Sequence, residues 1–183
     1  MKIVTLWFRH SITIFFTFVI IGCATALAPA PSPKLLTDSQ SALTEGLVLM
    51  QGMSGGVEAG TYEQRKDSYS KLLANLQSIV VLIESRPPAS DLDSDKVKIF
   101  LDYASSKGIL ITQEDLEQPN LKAAQNAVDQ ISFLRDMDKE KDCGKSIKCP
   151  TDSNIKIAIK GYMISMGAVI YYEQLLVDLK EDN

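Results

Sequence analysis

Histidine and tryptophan are almost absent from this chain of 183 residues. There is one of each, His10 and Trp7, and both fall among the first ten positions. The rest of the chain therefore holds no Ser-His or Cys-His dyad and no histidine-ligated zinc or haem. Cysteine is nearly as scarce: Cys23, Cys143 and Cys149 are the only three, too few to close a zinc site without imidazole beside them. Positive charge is short as well. The 19 Lys and Arg residues face 23 Asp and Glu for a net charge of −4. Leaving out Lys2 and Arg9, the only Lys or Arg before Cys23, 17 remain against 23, a balance of −6. Such a surface argues against nucleic acid as a partner and against a polybasic grip on anionic lipid. No internal repeat is visible. Gly144-Lys145-Ser146 matches only the end of a phosphate-binding loop, and Lys139 stands where that loop needs its first glycine.

What is present begins with a leader. Lys2 and Arg9 precede the apolar run Ser11–Ile21, which is about as long as a signal-peptide core and shorter than the roughly 20 apolar residues of a membrane span. The run closes on Ile20-Ile21-Gly22-Cys23, and Pro29, Pro31 and Pro33 follow. This stretch resembles the lipobox of bacterial lipoproteins. The resemblance implies cleavage after residue 22 and diacylglycerol and a further acyl chain such as palmitate on Cys23. With Ala24 rather than aspartate next, it also implies sorting to the outer membrane of a Gram-negative cell, facing the periplasm. Several acyl chains, at about 0.8 kcal/mol per buried methylene, anchor firmly where one does not. Two other readings stay open: ordinary secretory cleavage after Ala26-Leu27-Ala28, and an uncleaved anchor. Residues 23–34 then form a lipidated, proline-rich tether, semi-rigid at about 3.1 Å per residue. Cys143 and Cys149 make an even pair in an exported domain, most simply a disulfide, whose short loop contributes roughly 2 to 2.5 kcal/mol.

Residues 35–183 read as one all-α domain. Leu35 to Met53 predicts a first helix, with Thr37, Asp38 or Ser39 to cap it and Ser54-Gly55-Gly56 to break it. From Tyr62 to Ile83, Tyr62, Tyr69, Leu72, Leu73, Leu76, Ile79, Val80 and Ile83 recur at three- and four-residue spacing, an amphipathic helix that Arg86-Pro87-Pro88 ends. A shorter helix is expected from Asp93 or Ser94 through Ala104, closed by Gly108. After Pro119 a helix is expected over Asn120–Asp138, its tail Asp136–Asp142 a solvated helix end. Thr151, Asp152 or Ser153 starts a last, strongly apolar helix over Asn154–Lys180, and close helix contact explains Gly161 and Gly167 within it. The alternation Ile155-Lys156-Ile157-Ala158-Ile159 also fits a strand, though no partner strand is visible. The expected architecture is a single bundle of four to five helices.

Candidate chemistry is thin. Asp91, Asp93 and Asp95 alternate as in a calcium loop, but Lys96 replaces its glycine and Asp102 its glutamate, so a helix start explains them better. Met50 with Met53, and Met163 with Met166, form two Met-x-x-Met pairs that would suit Cu(I) or Ag(I) if the first and last helices converge; core packing is the plainer account. Tyr171, Tyr172 and Glu173 read as packing with a wetted edge. No catalytic residue, metal site or cofactor is expected, and no enzymatic activity. The sequence points instead to a lipid-anchored, non-catalytic interaction module, an adaptor, scaffold or inhibitor acting on another envelope protein. A carrier of a lipid or other apolar ligand is the alternative.

Overall fold

The computed structural model describes residues 31–86, 98, 102, 105, 106, 108, 118–140 and 149–181. Four helices account for most of them: α1 (Pro33–Gln51), α2 (Lys66–Glu84), α3 (Pro119–Asp138) and α4 (Asp152–Glu181). The long helix expected from Tyr62 starts only at Lys66: Tyr62–Gln64 forms a 3-10 turn that leads into α2. No strand occurs among the described residues, so Ile155–Ile159 is helical.

Three of the four helices start where the sequence offers a cap or a proline, α3 at Pro119; α2 instead follows the 3-10 turn, with no side-chain cap at Arg65. α1 begins two residues before Leu35, because Pro33 fits the first helical position and the Ser32 hydroxyl accepts from the Leu35 N–H at 3.2 Å. Thr37, Asp38 and Ser39 are thus not caps. The Thr37 hydroxyl donates back to the Pro33 carbonyl at 2.9 Å, Asp38 pairs with Lys34, and Ser39 is buried. Thr151 caps α4, accepting from Asn154 N–H at 3.2 Å. Of the helix expected over 93–104, only Lys98 and Asp102 are described; both are helical and exposed. Gly108 has φ +76, the left-handed conformation that stops a helix, and its N–H bonds to the Ser105 carbonyl at 2.9 Å.

Cross-helix bonds give the topology. Glu45 of α1 accepts from Lys71 at 2.9 Å and Asn75 at 2.8 Å, both in α2. Arg65, next to α2, meets Asp138 at the end of α3, while Gln118 before α3 donates to the Arg86 carbonyl past α2 at 3.2 Å. Gln130 of α3 donates to Ser165 of α4 at 3.2 Å, and Tyr162 of α4 donates to the Ala42 carbonyl of α1 at 2.7 Å. Every neighbour is antiparallel to the next, and α4 closes back on α1. Among the described residues these four helices form an up-down-up-down bundle. Its near end carries the starts of α1 and α3, and its far end the starts of α2 and α4.

The core follows the sequence periodicity. Leu35, Ala42, Leu49, Met50 and Met53 from α1 and the turn after it meet Tyr69, Leu72, Leu76, Ile79 and Ile83 from α2. Ala123, Ala127, Ile131 and Leu134 of α3 and Ile155, Tyr162, Met166, Val169 and Leu176 of α4 complete it. The close approach of α1 to α4 depends on Gly46. A Cβ there would lie 2.3 Å from the Tyr162 ring, a distance no packed side chain tolerates. Gly161 also marks a close helix contact, as expected, with α3: a Cβ placed on it would lie 3.2 Å from the Gln130 amide.

Candidate functional site

Of the residues that carry chemistry in the sequence, Cys23 and Cys143 lie outside the described residues, as do Asp91–Lys96 and Gly144–Ser146. Cys149 is described. It is buried, disulfide-bonded, and its Sγ lies 3.7 Å from the Glu140 carbonyl. The segment it begins ties the two far-end loops together: Val57 N–H donates to the Pro150 carbonyl at 3.1 Å, and Gly55 N–H to Asp152 at 3.2 Å. Gly55 and Gly56 make this possible with φ of +94 and +99, backbone that a side chain would strain.

The two methionine pairs do not converge. Tyr162 packs level with Ala42 and Gly46, and Met50 lies about 12 Å further along α1 than Ala42. Met166 lies one turn beyond Tyr162 in the opposite direction, since α1 and α4 are antiparallel. Met50, Met53 and Met166 are buried in the core, whereas Met163 is half exposed. The Met53 sulfur instead accepts a hydrogen bond from the buried Tyr69 hydroxyl at 3.3 Å. Burial is the main reason the Tyr69 phenol is held far above its ordinary pKa. No group of three or more His, Cys, Asp or Glu side chains placed to hold a metal occurs among the described residues.

Two buried ion pairs, neither legible in the sequence, stand at opposite ends of the bundle. At the far end the Asp138 side chain is fully buried, and Arg65 grips it with two nitrogens, Nε to Oδ2 at 2.8 Å and Nη2 to Oδ1 at 2.7 Å. Arg65 Nη2 also donates to the Thr61 hydroxyl at 2.7 Å. The hydrogen bond to Asp138 raises the Arg65 pKa above its usual value. Asp138 therefore corrects the expectation of a solvated helix end over 136–142: its side chain turns inward because it continues the inward face of α3 through Ile131 and Leu134. Asp136, on the outward face, remains exposed and pairs with Arg135 and Lys139.

At the near end the Glu173 side chain is fully buried, where the sequence predicts a wetted edge. It accepts from Arg86 Nη1 at 2.8 Å and from Asn120 Nδ2 at 2.7 Å. Burial pushes its carboxyl above the ordinary glutamate value, and the bonds from Arg86 and Asn120 oppose that shift without cancelling it. Both acids carry a signal in the sequence, since each falls on the inward register of its helix. Their charge points the other way, toward solvent, and the arginine that resolves the conflict comes from another helix.

Two grooves open at the surface. One, of about 240 Å³, runs between α1 and α2 over Val48 and Leu49, rimmed by Thr44, Glu45, Ser68 and Lys71. The other, of about 370 Å³, lies between α2 and α3 over Val80, Val81 and Val128, rimmed by Gln77, Gln125 and Asp129. Val48 and Val81 are themselves exposed, as are Phe133 and Ile157 on α3 and α4. Among the described residues no helix is long and apolar enough to cross a membrane. The chain matches no family model, no curated protein and no solved structure.

Proposed function

We propose that this chain is a lipid-anchored envelope protein that acts as a non-catalytic docking module, held at the membrane through Cys23. The observation that carries the reading is Ile20-Ile21-Gly22-Cys23 at the close of an apolar run, with a proline-rich stretch leading directly into a helix that starts at Pro33. Residues 24–32 span at most about 30 Å when extended, so the bundle works within one short reach of the bilayer. The α2–α3 groove supports docking: its floor is valine, its rim is amide and carboxylate, and Val81 stands exposed beside it. The partner is another envelope protein, and neither a cofactor nor nucleic acid takes part.

Mass spectrometry of the native N-terminus, combined with affinity isolation from membranes, tests both halves. Anchorage predicts an acylated Cys23 and loss of membrane association in Cys23→Ser; an unmodified Cys23 refutes it. Docking predicts a stoichiometric companion that Val81→Lys releases while the helical content of the bundle stays unchanged. A companion retained by that variant, or none at all, refutes docking through this groove.

A further inference from the structure

The near-end ion pair is built differently from the far-end one. Glu173 takes side-chain donors from Arg86 after α2 and Asn120 in α3, and it stands beside the backbone of Ser32, the cap of α1. Yet Arg86 Nη1 and Asn120 Nδ2 both end on Oε1. Glu173 Oε2 and Arg86 Nη2 are buried and have no hydrogen-bond partner in the protein. The far-end pair uses both oxygens of Asp138 and a hydroxyl besides, and the disulfide-bonded segment at Cys149 and its loop bonds lie at the same end.

The first turns of α1 bury little to compensate. From Pro33 to Gln40 only Leu35 and Ser39 are buried, and the Ser39 hydroxyl is also without a partner. A buried ion pair repays its desolvation only when its remaining atoms are satisfied, and a half-satisfied network is weaker than an apolar core.

We infer that Pro33–Ser39 is a releasable strap: the one-legged Arg86–Glu173 contact lets the near end open as a local unit while the two-legged Arg65–Asp138 contact keeps the far end closed. Opening draws Ser32 away from Glu173 and exposes Leu35 and Ile83, giving the bundle an apolar mouth at the end where the chain enters α1. The elevated carboxyl of Glu173 agrees with this, since its ionised form is the poorly accommodated one. The inference rests on packing alone and stands whether or not Cys23 carries lipid.

Native-state hydrogen exchange on the full chain in detergent, at sub-denaturing urea, tests it. Amides of 35–39 and 81–85 are expected to exchange about tenfold or more faster than those of 47–51 and 131–137, through an opening that spares the far end. Equal protection at the two ends overturns the strap. In the triple variant Arg86→Met, Asn120→Leu and Glu173→Leu, which removes both charges, both unpartnered atoms and the buried amide that would otherwise lose its acceptor, exchange at 35–39 slows and 131–137 is unchanged. Unchanged or faster exchange at 35–39 in that variant overturns the proposal. If it does not fold, Ser39→Ala gives the same readout, with slower exchange at 35–39 expected and unaltered exchange contradictory.

Discussion

At the scale of single residues, three side-chain environments set measurable penalties. Gly46 leaves room for the Tyr162 ring, so Gly46→Ala forces α1 and α4 apart and is expected to destabilise the bundle by about 1–3 kcal/mol in urea unfolding. Asp138→Asn leaves the Arg65 guanidinium buried without its counter-charge; a loss of about 3–5 kcal/mol is expected, read as a lowered thermal midpoint. Glu173 gives the pH dependence. Its folded-state pKa is raised above the ordinary 4.5, so the folded state binds this proton more tightly than the unfolded chain does. Its contribution to stability is complete below 4.5 and is lost as pH rises through the elevated folded value. The stability of the wild type relative to Glu173→Gln is therefore expected to fall as pH rises through that window. Urea titrations of both proteins across mildly acidic pH check this, and a difference that grows with pH contradicts it. Neither acid is legible as a buried group, because sequence register places a residue on a face but does not say that an arginine from another helix waits there.

At the scale of elements, the sequence is most legible where hydrophobic period and backbone chemistry agree. The repeat Tyr69, Leu72, Leu73, Leu76, Ile79, Ile83 is the buried face of α2, and Pro87 follows soon after its end. Thr151 before α4 and Gly108 after the segment at 98–106 act through local backbone geometry, which needs no tertiary partner. The start of α1 departs from expectation for an equally local reason: Pro33 suits the first helical position, and Ser32 lies immediately before it to cap it. Ser32→Ala is expected to cost about 1 kcal/mol through the lost cap, and to speed exchange in the first turn of α1 more than elsewhere. Gly161 is legible only in part. A glycine in a helix announces a close approach without saying to what, and the tightest packing falls on Gly46.

At the scale of the whole molecule, one loop-to-loop junction ties the far end of the bundle together. Cys149 is disulfide-bonded in a segment that holds the far-end loops through Pro150 and Asp152. Reduction is expected to lower the thermal midpoint and to expose residues 55–57 to proteolysis first; an unchanged midpoint after verified reduction would contradict a stabilising role. The sequence by itself determined the helical class, the positions of α2, α3 and α4, and the exclusion of histidine chemistry from the body. These follow from composition and from a period of three to four residues, both of which are properties of the chain. Only the tertiary structure decided which carboxylates are buried, that the methionine pairs stand at different heights, and that one end of the bundle is bolted by a complete ion pair while the other is held by an incomplete one. Those outcomes depend on which residues of different helices meet. Antiparallel packing sets that pairing across separations of 53 positions for Asn120–Glu173 and 120 for Ala42–Tyr162, far beyond the reach of any local pattern.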